Sequence, residues 1–132
     1  MSTPDIERLL ASVPTGLWIG GEERPATSTY DVLDPSNDEV LTKVGNATAA
    51  DAIAALDAAC AVQAEWAATP PRERGEILRS VFETIIERTD ELAALMTLEM
   101  GKVFAESQGE VKYGAEFFRW FAEEAVRIGG RY

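Results

Sequence analysis

Histidine is absent from this chain, and cysteine occurs once, as Cys60. The first absence removes the side chain best suited to proton transfer near neutrality, which is also the commonest metal ligand. The second excludes an internal disulfide, and a single free thiol fits a reducing, cytoplasmic setting. Basic residues are scarce, 12 Lys and Arg against 23 Asp and Glu, for a formal charge of −11. Neither nucleic acid nor an anionic membrane surface is therefore an expected partner, because both require basic faces. No apolar run approaches the roughly 20 residues of a membrane span. Residues 1–7 lack the basic region and apolar core of a secretory signal.

What is present is enough apolar material, 46% of 132 residues, to predict a sizeable core in one domain. The patterning divides the chain in two. Residues 3–13 read as a short helix or arm, with Ile6, Leu9 and Leu10 on one face, and Pro14-Thr15-Gly16 breaks it. Leu17-Trp18-Ile19 reads as a strand, with Gly20-Gly21 as the turn into a weaker partner at 23–26. A second hairpin is predicted from 30–34 and 39–44, around Pro35-Ser36-Asn37-Asp38.

From Thr48 the period becomes helical. Thr48 and Asp51 have the spacing of a capping box, and Ile53, Leu56 and Cys60 share the face that follows. Thr69-Pro70 predicts a second start, with threonine as the cap and proline first in the helix. Ile77/Val81/Ile85 and Leu78/Phe82/Ile86 then form one broad apolar face. Thr89, with Asp90 and Glu91 behind it, predicts a third helix that Gly101 stops. Its inward residues are Leu92, Leu95 and Met96.

The longest helical pattern covers 109–127, closed by Gly129-Gly130. At 100° per residue, Lys112, Glu116, Arg119, Glu123 and Arg127 occupy one solvated arc. Val111, Ala115, Phe118 and Ala122 lie on one apolar side, and Gly109, Tyr113, Phe117 and Trp120 lie nearly opposite. An ordinary surface helix buries a single stripe. Two stripes predict a helix wedged between two layers.

The fold class is thus α/β: two short amino-terminal hairpins followed by three to four helices. No strand follows the helices, so no parallel strand–helix–strand unit closes, and the sheet reads as incomplete. The expected organisation is an arm at 1–15 and one domain at 16–132.

Chemistry-bearing constellations are few. Cys60 sits mid-helix with no base beside it in sequence, which predicts an inert core cysteine. The adjacent acids Glu22-Glu23, Asp90-Glu91 and Glu123-Glu124 diverge by about 100° where helical, so they do not form acid/base pairs. Glu99 alone makes no metal site. Neither Gly20-Gly21 nor Gly129-Gly130 has the strand-to-helix spacing of a phosphate cradle. Tyr113, Phe117 and Trp120 suit either core and interface packing or the wall of a ligand cleft.

Several stretches taken together resemble a known family. These are Met96-Thr97-Leu98-Glu99-Met100-Gly101-Lys102, Gly109-Glu110-Val111-Lys112-Tyr113 and Phe118-Arg119-Trp120-Phe121-Ala122-Glu123-Glu124-Ala125. They are similar to the amino-terminal part of the cofactor-binding domain of NAD(P)-dependent aldehyde dehydrogenases, most of all the succinate-semialdehyde branch. Trp18-Ile19-Gly20-Gly21, Asp34-Pro35 before Glu39-Val40, and Trp66 ahead of Pro70 agree in order. Val103 stands where the family usually has proline.

The resemblance implies an oxidoreductase whose cysteine thiolate attacks an aldehyde. Hydride then passes to NAD or NADP, and a glutamate-activated water completes the acid. The family's motifs for those steps lie beyond the part similar to this chain. The chain alone is accordingly expected to bind no cofactor and to hold no catalytic residue, Cys60 included. The resemblance further implies that Tyr113, Phe117 and Gly109 line the substrate tunnel of the complete enzyme. The expected partners are a small aldehyde in the complete enzyme and association through exposed apolar surface, with a homo-oligomer at full length. The alternative expectation is a non-catalytic interaction module that docks on a full-length dehydrogenase or a complementary fragment.

Overall fold

The computed structural model describes residues 6–129. The first three residues of the expected amino-terminal helix, and Gly130, lie outside that range. In chain order the elements are α1 (Ile6–Ser12), β1 (Leu17–Ile19), β2 (Glu22–Arg24), β3 (Thr29–Leu33), β4 (Val40–Gly45), α2 (Ala49–Ala68), α3 (Pro71–Glu87), α4 (Thr89–Met100) and α5 (Phe104–Glu124). This is the predicted mixed α/β order, with two separate two-stranded antiparallel sheets. Among the described residues no strand follows β4. The chain forms two compact units, one comprising residues up to 67 with 98–101, the other 68–97 with those from 102 onward.

In the first unit, Gly20 and Gly21 take φ of 66° and 83°, and Ile19 pairs with Glu22. Both turn residues are left-handed, as a two-residue type I′ hairpin demands. So tight a turn starts β2 at Glu22, one residue before the expected position. Pro25, lacking an N–H, ends it. The second hairpin carries a bulge, since Val32 pairs with Thr42 but Leu33 with Val40. Its turn is held by Asp34 Oδ1, which accepts the Ser36 N–H at 2.8 Å. Asp38 there adopts φ 59°, a conformation aspartate tolerates better than most residues. The Gly45 N–H donates to the Thr15 carbonyl at 2.7 Å, tying the hairpins together.

Helix α2 begins as predicted. The Thr48 N–H donates to Asp51 Oδ2 at 2.8 Å, and the Asp51 N–H to Thr48 Oγ1 at 3.3 Å. No residue of α2 is buried, however. Ile53 and Leu56 are exposed, and so is Cys60. The expectation of a core cysteine is therefore corrected. The half-buried positions of α2 lie on another face, at Asp51, Ala54 and Ala58. A Cβ on Gly20 would stand 3.8 Å from the Ala58 methyl. Ala58 faces the first hairpin, and Ile53 and Leu56 lie on the exposed side.

In the second unit, α3 starts one residue later than predicted. Pro70 is the cap, at φ −53° and ψ 139°, and Pro71 is the first helical residue. A proline ring drives the preceding residue out of the α region, so the Pro70-Pro71 pair places the boundary between its two members. Thr89 starts α4 as predicted, with Asp90 and Glu91 in the first turn. Its hydroxyl donates back to the Ile86 carbonyl at 2.7 Å, closing α3, while the Arg88 carbonyl accepts the first bond of α4 from Leu92. Gly101, at φ 71°, stops α4. Helix α5 starts after the extended Val103, so Gly109 lies inside it.

Helix α3 runs antiparallel to α5: Gly75 meets Ala122, and Phe82 meets Arg119. The approach is closest at Gly75, where an added Cβ would lie 2.8 Å from the Ala122 carbonyl oxygen. Val111, Ala115 and Ala122 are buried as predicted, and so are Ala93 and Ala94 of α4. Buried Ser107 shares a hydrogen bond with Thr97 at 3.1 Å. The expected sizeable core is not found. Among the described residues the buried hydrophobic side chains larger than alanine are Leu9, Ile19 and Val111. Leu56, Ile77, Tyr113, Phe117, Trp120 and Phe121 are exposed instead.

Candidate functional site

The four aromatics Tyr113, Phe117, Trp120 and Phe121 recur at spacings of three and four, so helical geometry gathers them on one side of α5. The opposite side carries Val111, Ala115 and Ala122. The helix is therefore two-sided, as its pattern predicts, but only one side is covered. Relative exposures are 67% for Tyr113, 50% for Phe117, 64% for Trp120 and 57% for Phe121.

These residues and Glu116 line a groove of about 350 Å³. Tyr113 and Phe117 meet edge to face, with centroids 5.2 Å apart and planes at 87°, the preferred geometry for aromatic quadrupoles. The single charge in the lining, Glu116, is paired with Arg119 at 2.6 Å. A second notch, about 300 Å³, opens between α3 and α5 and is lined by Leu78, Phe117, Phe118 and Phe121.

Of the predicted site residues, Tyr113 and Phe117 come together in the groove, and Trp120 joins them. Gly109 lies one turn before Tyr113, exposed, with no atom within 4 Å of where a Cβ would stand, but it is not in the groove lining. Phe121 escaped the sequence reading although its spacing of four from Phe117 was available. Phe118, assigned to the packing side, is 37% exposed and shared with the notch.

Several of the remaining acidic candidates have structural partners. Glu23 Oε1 accepts the N–H groups of Thr15 and Gly16 at 3.0 and 2.6 Å. Asp90 accepts from Gln108 at 2.6 Å, and Glu91 pairs with Arg88 at 2.8 Å. Arg127 bridges Glu123 and Glu124, whereas Lys112 joins no ion pair among the described residues. The Asp51 carboxyl is held below the ordinary carboxylate range by the Thr48 hydroxyl and then its N–H. Ser36 does the same for Asp34.

Among the described residues the glycine turns do not have the strand-to-helix form of a phosphate cradle. The strand-to-helix turn after β4 leads into α2, but Asp51 already occupies the anion position at that helix end. Gly20-Gly21 turns strand into strand, and Gly101 follows a helix. Among the described residues no group of three or more His, Cys, Asp or Glu is placed to hold a metal. Among those residues no helix is long and apolar enough to cross a membrane.

Residues 22–132 match the aldehyde dehydrogenase family, and the chain belongs to that family. It is 58% identical over 93 residues to succinate-semialdehyde dehydrogenase of Paenarthrobacter nicotinovorans, covering 70% of this chain and 21% of that one. It is 43% identical over 115 residues to succinate-semialdehyde dehydrogenase [NADP(+)] of Escherichia coli K12, covering 87% and 23%. Among solved structures, betaine aldehyde dehydrogenase of Staphylococcus aureus in complex with NAD+ superposes with a TM-score of 0.90 at 31% identity, over 96% of this chain and 26% of that one. An Escherichia coli NADP dependent enzyme gives 0.88 at 40% identity, over 95% and 26%. The fold is that of an amino-terminal aldehyde dehydrogenase fragment, and the chain spans about a quarter of the length of these relatives.

Proposed function

We propose that this chain supplies the amino-terminal portion of an NAD(P)-dependent aldehyde dehydrogenase that oxidises succinate semialdehyde to the carboxylic acid. Its own contribution is one wall of the substrate tunnel. The observation that carries the reading is the open aromatic groove on α5, within the stretch that matches the family. The names of the two relatives support the substrate. Tyr113 and Phe117 offer apolar area for the substrate's methylenes, and the Tyr113 hydroxyl offers one polar contact. Glu116 is neutralised by Arg119, so the wall opposes an anionic substrate only weakly, and the cation for its carboxylate comes from elsewhere in the enzyme. The arm at 1–15 and the domain from 16 onward are parts of that larger protein, which we place in the cytoplasm as a homo-oligomer.

The chain alone performs none of the chemistry in this reading. Cys60 lies exposed on α2 in a chain with no histidine, which supports that reading. Purified chain incubated with succinate semialdehyde and NAD or NADP yields no reduced cofactor, and turnover by the chain alone would overturn the proposal.

A further inference from the structure

We infer that Arg119 sets the charge preference of the α5 groove: by cancelling Glu116 it lets the groove accept apolar anions, and without it the groove turns them away. The inference rests on the reading of that groove as a wall facing substrate, and deepens it by assigning selectivity to a residue outside the lining. Tyr113, Phe117, Trp120 and Phe121 supply area without charge, so Glu116, the one charged group in the lining, decides how an ion is received. Apolar walls screen a charge poorly, and a carboxylate among them acts at close range on an entering anion.

Arg119 acts through Glu116 as a positioning residue. It is not part of the groove lining, but its guanidinium meets Glu116 Oε2 at 2.6 Å. The same guanidinium lies over the Phe82 ring of α3, its central carbon 5.6 Å from the ring centroid. Ion pairs between half-exposed side chains are ordinarily weak, because both partners lose rotamer freedom in forming them. An aromatic face that already holds the arginine reduces that loss. Lys112, one turn before Glu116, joins no ion pair among the described residues and has no such anchor. The other acids near the groove are matched as well. Glu110, three residues before Tyr113, pairs with Lys102, and Glu123 and Glu124 share Arg127. In a chain of charge −11 this wall is locally neutral, and at Glu116 it is Arg119 that makes it so.

The test titrates the purified chain with two fluorescent probes that share one aromatic skeleton and differ in charge, anionic anilinonaphthalenesulfonate and uncharged phenylnaphthylamine. Phe117→Ala, at a half-exposed position, is expected to weaken both probes together, which places them in the groove. Arg119→Met is expected to weaken the sulfonate about three- to tenfold relative to the amine, the effect of one charge roughly 5–6 Å away in a partly solvated groove. Phe82→Leu, which removes the ring and keeps apolar bulk, is expected to move the ratio the same way by about twofold. Adding Glu116→Gln to Arg119→Met is expected to restore the sulfonate, since the repelling charge is then gone. A merely structural role for Arg119 would weaken both probes alike, and retained binding of the amine shows that the variant is folded. The inference is overturned if Arg119→Met or Phe82→Leu leaves the ratio unmoved, if Arg119→Met weakens both probes alike, or if the added Glu116→Gln restores nothing. An unaltered chain that binds neither probe, or binding indifferent to Phe117→Ala, would instead overturn the groove as a ligand wall, and the inference with it.

Discussion

Replacing Gly75 with alanine tests whether α3 and α5 touch as closely as described. Alanine in a helix interior is worth about 0.8–1.0 kcal/mol over glycine, so propensity alone predicts that the variant is stabilised. At Gly75 the new methyl would lie 2.8 Å from the Ala122 carbonyl oxygen and 3.9 Å from the Ala125 Cβ. The first contact is with backbone, which yields only if the helices separate. Overpacking of this kind costs about 1–3 kcal/mol. Net, Gly75→Ala should range from neutral to about 2 kcal/mol destabilised. Gly114 of α5 supplies the control, because a Cβ there meets nothing within 4 Å. Gly114→Ala should gain the full propensity term of about 1 kcal/mol. The difference between the two variants isolates the clash, at about 1–3 kcal/mol. Urea unfolding followed by helical circular dichroism measures it, and a thermal melt should separate the variants by roughly 3–10 °C. Equal gains from both substitutions would refute the close approach.

Thr48→Ala removes one half of the capping box and should cost about 1 kcal/mol, read as reduced helicity and a lower urea midpoint. The carboxyls of Asp34 and Asp51 are held below their ordinary value by the serine and threonine groups that bond them. Their contribution is therefore fully present above about pH 4 and is lost as pH falls through the lowered folded values. Replacing Asp51 with asparagine should flatten acid denaturation below pH 4 and leave the pH 5–8 plateau flat, which melts across that range will check. In a complete enzyme carrying this amino-terminal portion, Gly109→Leu should raise KM for the aldehyde more than it lowers kcat. Steady-state kinetics giving no change in either constant would remove Gly109 from the tunnel.

The sequence revealed the order of elements because each start and stop has a local cause. The Thr48/Asp51 box, the Gly20-Gly21 turn and Gly101 all act within a few residues, and all were found where expected. A small boundary error arose where two local effects compete: Pro71 overrides the Thr69-Pro70 start signal. Burial was less legible. The face containing Ile53, Leu56 and Cys60 is apolar, yet it lies outward, and periodicity reports that a face exists without reporting what covers it. For the same reason α5 showed both its stripes in sequence, while the choice of buried stripe depended on Gly75 admitting Ala122. The missed Phe121 follows from a face drawn too narrowly around Tyr113 and Phe117.

The most direct test is cofactor reduction measured twice, on the purified chain and on a complete aldehyde dehydrogenase that carries this chain as its amino-terminal portion. With succinate semialdehyde and NAD or NADP, the account predicts no reduced cofactor from the chain and sustained turnover from the complete enzyme. Activity in the isolated chain would contradict it, as would a well-folded complete enzyme that leaves succinate semialdehyde unoxidised.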